Sequence, residues 1–334
     1  MVEYRGLMVY CEVKEGKLTA LAIELLGYGR KLADELGQEL SAVLIGSNIR
    51  TLSQKPIIFG ADKVYVVDST LFKDYQTDSY VFAMEKVVKQ VMPRILLLGQ
   101  SSIGRDLAPR LAFRLCTAVI TDCVELTIDA ESKQLLQTKP VYGGNARATF
   151  TCESYPQMAT VRAKTMSPPE PDVSRQGEVI NIDVDLVLSA IRTKVLEKVS
   201  EEIAGVRLED AKVVVCGGRG IGGSEGFRQL EGLAKLLKGA VGATRPPCDN
   251  GWVPTGIQVG LTGKIITPDV YIGVALSGSS QHLSGCFGAK NIIAINKDPN
   301  ANIFNVAEFG VVGDWRMVLP AFIKTLSDEK NNCV

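Results

Sequence analysis

A single histidine occurs in this chain of 334 residues, His282, set in LSGSSQHLSGCFG (276–288) among four serines and three glycines. An imidazole can act as a base, a metal ligand or a hydrogen-bond donor. A hydrolase would need an activated serine beside it, and no G-x-S-x-G elbow is present. A metal centre would need further ligands, and this stretch offers only hydroxyls and Cys286. A purely structural histidine is the plain alternative. Ser277, Gly278, Ser279 and Ser280 lie between the apolar run VYIGVAL (270–276) and a helix expected from about residue 279. The first N–H groups of a helix lack intrahelical partners, so such a loop can hold a phosphate. An ordinary serine N-cap accounts for the same residues.

Other polar residues follow apolar runs in the same half of the chain. CGGRGIGG (216–223) contains Gly218-x-Gly220-x-x-Gly223, a match to the dinucleotide fingerprint, although a flexible turn fits as well. That fingerprint expects an acidic residue at the end of the next strand, where this chain has Thr244-Arg245. Arg219 inside the loop also disfavours a standard NAD site. QVGLTGK (258–264) is a second glycine-bracketed loop with a threonine hydroxyl. Asn296 in INKD and Asp314 after Gly313 suit an adenine edge or ribose hydroxyls, or simply cap strand ends.

These residues need elements to hold them. The N-terminal part alternates short apolar runs (6–13, 40–46, 63–68, 94–100) with amphipathic stretches (18–37, 79–92, 105–115), the pattern of a mostly parallel α/β sheet. Strand-like runs around Gly143-Gly144 predict a hairpin and an antiparallel extension of that sheet. The proline-rich 167–178 reads as an exposed connection, and 179–186 as a strand that could return to the first domain. The expected division is an N-terminal α/β domain (1–195), a charged linker (196–211), a doubly wound Rossmann-like domain (212–328) and a tail (329–334).

Lys plus Arg equals Asp plus Glu, 37 each, so no basic field gathers nucleic acid or an anionic membrane. No apolar run is long enough to insert into a membrane, and the N-terminus lacks a signal-peptide pattern. The eight scattered cysteines form no C-x-x-C pair, which suits buried thiols and a cytoplasmic protein.

Taken in order across 212–325, GGRG, GATR, DNGW, QVGLTGK, LSGSSQHLSG, AINKDPNANIF and VVGD resemble the flavin domain of the electron transfer flavoprotein alpha subunit. GRDLAPRLAFRL (104–115), KPVYGGNARATF (139–150) and PQMATVRA (156–163) resemble the first domain of the same family. The resemblance implies FAD held mainly by the second domain and a heterodimer with a beta subunit, which the first domain contacts. Carried over by position, Ser277, Gly278, Ser279, Ser280, Gln281 and His282 would cradle the pyrophosphate and reach the flavin. Val259, Gly260, Leu261 and Thr262 would run beside the isoalloxazine, with Gln258 also among the cofactor-binding residues. Arg219, Thr244 and Arg245 would line the cleft, with Asn296, Asp314 and Trp315 toward the adenosine. The chain departs from the commoner family pattern at Leu261, at Ser279-Ser280 and at Cys248-Asp249-Asn250.

Fixed donors or cations near N1 and the C2 carbonyl raise a flavin's potential, and Arg245 and His282 are expected there. The expected role is therefore an electron carrier without general acid–base residues. Its partners would include an acyl-CoA dehydrogenase, an NADH-linked donor or a quinone reductase. One alternative is an electron-bifurcating complex with a second FAD in the beta subunit. Another, of a different class, is an adenine-nucleotide-binding regulatory module.

Overall fold

A computed structural model describes residues 3–144, 146–185, 191–193, 195–199 and 206–332. The chain divides into two compact units, Met1–Pro140 with Arg147–Val199, and Val141–Ala146 with Ser200–Val334. Part of the expected linker, 200–205, lies outside the described residues.

The first unit is built on strands β1 (Leu7–Tyr10), β4 (Leu40–Gly46), β5 (Lys63–Asp68), β6 (Ile95–Gly99), β7 (Val119–Cys123), β11 (Gln157–Val161) and β12 (Glu178–Asn181). A two-residue pair, β2 (Val13–Lys14) and β3 (Lys17–Leu18), follows β1. The seven strands run in the order β12-β5-β4-β1-β6-β11-β7, and every pairing is parallel. LMVY, LSAVLIG and ILLLG are buried throughout, as a parallel sheet covered on both faces demands. Helix α1 (Ala20–Leu36) covers one face through Leu25, Leu26 and Leu32. It starts at Thr19, whose hydroxyl accepts from the Ala22 N–H, and stops at Gly37 in the left-handed region. After α2 (Gln54–Ile58), helices α3 (Thr77–Val91) and α4 (Ser102–Arg114) cover the other face.

The antiparallel strands do not extend this sheet. β8 (Glu125–Ile128), β9 (Leu135–Val141) and β10 (Ala146–Phe150) form a three-stranded sheet of their own. Asp122 takes a φ of 63° and the β11/β7 register shifts between Ala159 and Val161, so the chain leaves the main sheet after Cys123. Leu126 and Leu135 then pack into the α1 cluster, and the Leu126 N–H donates to the Tyr28 hydroxyl at 2.8 Å. The segment read as a returning strand does return: β12 pairs with β5, Glu178 against Lys63.

Asp62 ties three parts of this unit together. Its carboxylate accepts from Arg30 Nη1 at 2.7 Å, Arg175 Nη2 at 2.6 Å and the Leu40 N–H at 2.8 Å. Asp62→Ala is expected to cost about 2 kcal/mol, read as a lower urea midpoint, because charge-assisted bonds are the strong ones. Asp62→Asn should lose less, since its amide oxygen can still accept from Leu40.

The second unit places β13 (Val213–Gly217), β14 (Ala240–Ala243), β15 (Val270–Val274), β16 (Asn291–Asn296) and β17 (Phe309–Val312) in the order β14-β13-β15-β16-β17. All pairings are parallel. Renumbered within the unit the order is 2-1-3-4-5, the flavodoxin type of doubly wound sheet rather than the six-stranded Rossmann order. Strand residues alternate between two cores. Val215, Ile272 and Val274 face α5 (Ser224–Leu236) and α8 (Trp315–Asn332). Val214, Cys216 and Tyr271 face α7 (Ser280–Cys286) and Ile303. Helix α6 (Arg245–Asp249) follows β14, and α8 runs through most of the expected tail. Among the described residues, no helix is long and apolar enough to cross a membrane.

Candidate cofactor site

In a doubly wound sheet, ligands sit beyond the carboxyl ends of the strands where the strand order reverses, here between β13 and β15. Two loops compete for that position. The fingerprint loop after β13 has most of its donors already paired within the protein, those of Arg219 and Gly223 excepted. Gly218 N–H donates to Val274 O at 3.0 Å, Gly220 N–H to Ala275 O at 3.1 Å, and Ile221 and Gly222 to Gly218 and Arg219. The Trp315 indole N–H donates to Gly220 O at 3.1 Å. A Cβ on Gly218 would lie 2.4 Å from Ala275 O, so this glycine permits contact between two loops of the protein. The loop is a structural splice.

The loop after β15 has the opposite character. The N–H groups of Ser277, Gly278, Ser279, Ser280 and Gln281 have no acceptor among the described residues. Ser279 is the N-cap of α7, yet its hydroxyl makes no capping bond, which removes the ordinary N-cap explanation. Gly278 is buried with φ of 76°, and a Cβ there would meet Ile303 N at 2.5 Å. The Ile303 N–H in turn holds the Ser277 carbonyl at 3.0 Å. A backbone shaped this way, with a run of unspent donors, fits the oxygens of a pyrophosphate.

His282 is buried, and both ring nitrogens are engaged: Nε2 with the Tyr271 hydroxyl at 2.6 Å and Nδ1 with Val259 O at 3.0 Å. Burial pushes its pKa down to about 4, so the ring is neutral at physiological pH. Neither nitrogen is left over to donate to a cofactor in this arrangement, unlike the donor role expected from sequence. The histidine instead joins α7 to the 258–264 loop. That loop is further tied by Leu261 N–H to Gln281 O at 2.8 Å and by the Gln258 amide to the Thr262 hydroxyl at 2.9 Å. Leu261 and Thr262 stay exposed, while Gln258, Val259 and Gly260 are buried.

The remaining expected residues reach the same edge by different routes. Thr244 is the buried N-cap of α6, and Arg245 is exposed with Nε 3.1 Å from Asp249 Oδ2. Asn296 donates to Leu276 O at 2.8 Å and accepts from Asp298 N–H at 3.0 Å, fastening the β15 loop to β16. Asp314 accepts from Arg316 N–H at 2.9 Å and starts α8. Trp315 is buried against the glycine loop as its brace. Arg219 is exposed in that loop. Tyr271 and Ile303 also shape the site; in sequence Tyr271 reads only as a member of the apolar run VYIGVAL, and Ile303 only as part of AINKDPNANIF, with no role of its own. Among the described residues, no group of three His, Cys, Asp or Glu side chains could hold a metal ion.

A flavodoxin-type sheet with a donor-lined loop at its switch point defines a domain built to hold a phosphate-bearing cofactor. The family model described as electron transfer flavoprotein domain matches 7–187, and the electron transfer flavoprotein FAD-binding domain matches 207–287. The chain is 46% identical to "Electron transfer flavoprotein subunit alpha" of Thermoanaerobacterium thermosaccharolyticum, covering 99% of this chain and 100% of that one. It is 42% identical to the protein of the same name from Megasphaera elsdenii (99% and 98% covered) and 40% identical to "Protein FixB" of Azotobacter vinelandii (96% and 90%). The chain belongs to the electron transfer flavoprotein family. Its cofactor is FAD and its role is that of an electron carrier.

Proposed function

We propose that this chain is the FAD-holding subunit of a heterodimer with a beta-type subunit, and that it passes electrons from a dehydrogenase or NADH-linked donor to an acceptor such as a quinone reductase. The five unspent N–H groups of 277–281 at the switch point carry this reading. They bind the pyrophosphate, with Gly278 as the position of closest backbone approach. Val259 to Thr262 form a wall beside the flavin ring, braced by Gln258 and His282. Thr244, Arg245 and Arg219 border the ring end of the cleft, and Asn296 and Asp314 the adenosine end, with Trp315 supporting the loop between. The FAD-holding domain is taken as 212–328, the partner-contacting domain as 1–195. Bound FAD supplies reversible uptake of electrons. The buried free thiols Cys11, Cys123, Cys216, Cys248 and Cys286 suit a reducing cytoplasm.

Arg245 supplies the fixed positive charge at the ring end. Arg245→Gln is expected to lower the FAD reduction potential by roughly 60 mV, a tenfold change for one electron, with FAD retained. An unchanged potential would remove Arg245 from tuning. The reading as a whole is tested by co-expressing the chain with a beta-type subunit and titrating the complex with reductant. A yellow complex with one FAD per heterodimer is expected; two would favour bifurcation. A colourless complex indifferent to FAD would sink the proposal.

A further inference from the structure

We propose that Tyr271 is a positioning residue: its hydroxyl holds the His282 ring so that Nδ1–H meets the Val259 carbonyl, and it thereby fixes the 258–262 loop against α7. Its bearing on the cofactor rests on the reading of that loop as the wall beside the flavin.

Tyr271 is fully buried on β15, facing the side that α7 covers. Its oxygen lies 2.6 Å from His282 Nε2. The proton placement follows from the acceptor at the other end. A peptide carbonyl can only accept, so the 3.0 Å contact at Val259 O places the ring proton on Nδ1. In the neutral ring Nε2 then carries a lone pair, and the Tyr271 hydroxyl must donate to it. The opposite tautomer would set the Nδ1 lone pair against the carbonyl lone pairs and lose that bond. Burial, which disfavours the charged imidazolium, keeps the ring in this single state.

The chain of contacts ends on the loop. Val259 N–H donates to Ala243 O at 2.8 Å, so Val259 is held by β14 on one side and by His282 on the other. Gly260 N–H reaches Lys264 O at 3.1 Å and Leu261 N–H reaches Gln281 O at 2.8 Å. Without the Tyr271 hydroxyl, Nε2 would be a buried acceptor with no partner, and the ring would gain from turning away or admitting water. The loop would then lose its side-chain tie to α7.

With one histidine in the chain, its ring signals in the 15N-histidine-labelled full-length protein need no assignment. The wild type should show a slowly exchanging proton bonded to Nδ1 and none on Nε2; a proton on Nε2 would overturn the proposal. Tyr271→Phe should expose the Nδ1 proton to solvent exchange and speed amide exchange at Gly260 and Leu261 about tenfold. In a His282→Asn background, whose amide cannot span to Tyr271, Tyr271→Phe should add nothing; equal loosening in both backgrounds would show action by packing alone and defeat the proposal. FAD dissociation should rise about tenfold in Tyr271→Phe. A loosened loop with unchanged FAD binding would leave the positioning role standing and refute only the placement of the loop beside the flavin.

Discussion

Gly278→Val is expected to weaken FAD binding at least about a hundredfold, the cost of roughly 3 kcal/mol. Two effects add. A β-branched residue at φ of 76° costs about 1–2 kcal/mol in backbone strain. The new Cβ would also lie 2.5 Å from Ile303 N and 2.7 Å from its Cα, which are backbone atoms with little freedom to yield. The β15 loop must therefore move away from the turn Asn302–Asn305, breaking the Ile303–Ser277 bond and scattering the five donors. Equilibrium titration of the flavin-stripped complex with FAD measures the loss. Gly232→Ala is the matched control: it lies inside α5 with nothing within 4 Å of its Cβ, and should stabilise the protein by about 0.5–1 kcal/mol. Wild-type affinity in Gly278→Val would mean that the loop is not the pyrophosphate cradle.

Between pH 6.5 and about 4, acidification should cost stability chiefly through one residue. His282 folds neutral, with its pKa pushed by burial from the usual 6.5 to about 4, so below pH 6.5 the unfolded chain binds a proton that the folded chain refuses. Its contribution is fully present above pH 6.5 and is lost progressively down to about pH 4, some 3 kcal/mol in total. Other groups modify the curve. Burial raises Glu12 and Glu24, which act with the opposite sign across the carboxylate range. Burial opposes but N–H and cationic partners outweigh it at Asp62 and Glu85, which are held low and lose their contribution only under more acid conditions. The informative quantity is the difference between wild type and His282→Gln in denaturant unfolding from pH 7 to pH 4.5. The variant curve should be flatter; parallel curves would show that the ring is already charged or exposed in the folded protein.

Much of the fold was legible because burial leaves a periodic mark. LSAVLIG and ILLLG had to be strands covered on both faces, and Gly37 had to end α1. The separate antiparallel sheet was not legible, because its departure depends on Asp122 taking a positive φ, a local choice that no apolar pattern encodes. The site divides the same way. Ser277 to Gln281 stand out as a Ser/Gly loop between a strand and a helix, and the structure leaves their N–H groups unspent. The fingerprint glycines stand out equally, yet the donors of Gly218 and Gly220 are consumed by carbonyls 56 and 55 residues onward, in Val274 and Ala275 (274 − 218 and 275 − 220). Spacing reports that the backbone comes close to something; it does not say whether that is a phosphate or another loop. His282 drew notice as a rarity, while its partner Tyr271 was hidden in a strand where an aromatic needs no explanation.

The pairing of β12 with β5 also governs the order in which the molecule can be made. Glu178 meets Lys63 only after β6, β7, β11 and the small antiparallel sheet have been synthesised. Until residue 181 leaves the ribosome, β5 is an open edge of buried, β-branched residues, the kind of template on which nascent chains stick together. The five-stranded sheet of the second unit has no such debt, since all its strands lie between 213 and 312. Fragments ending shortly before 178 should therefore aggregate, whereas those ending just after 185 have the whole first sheet available.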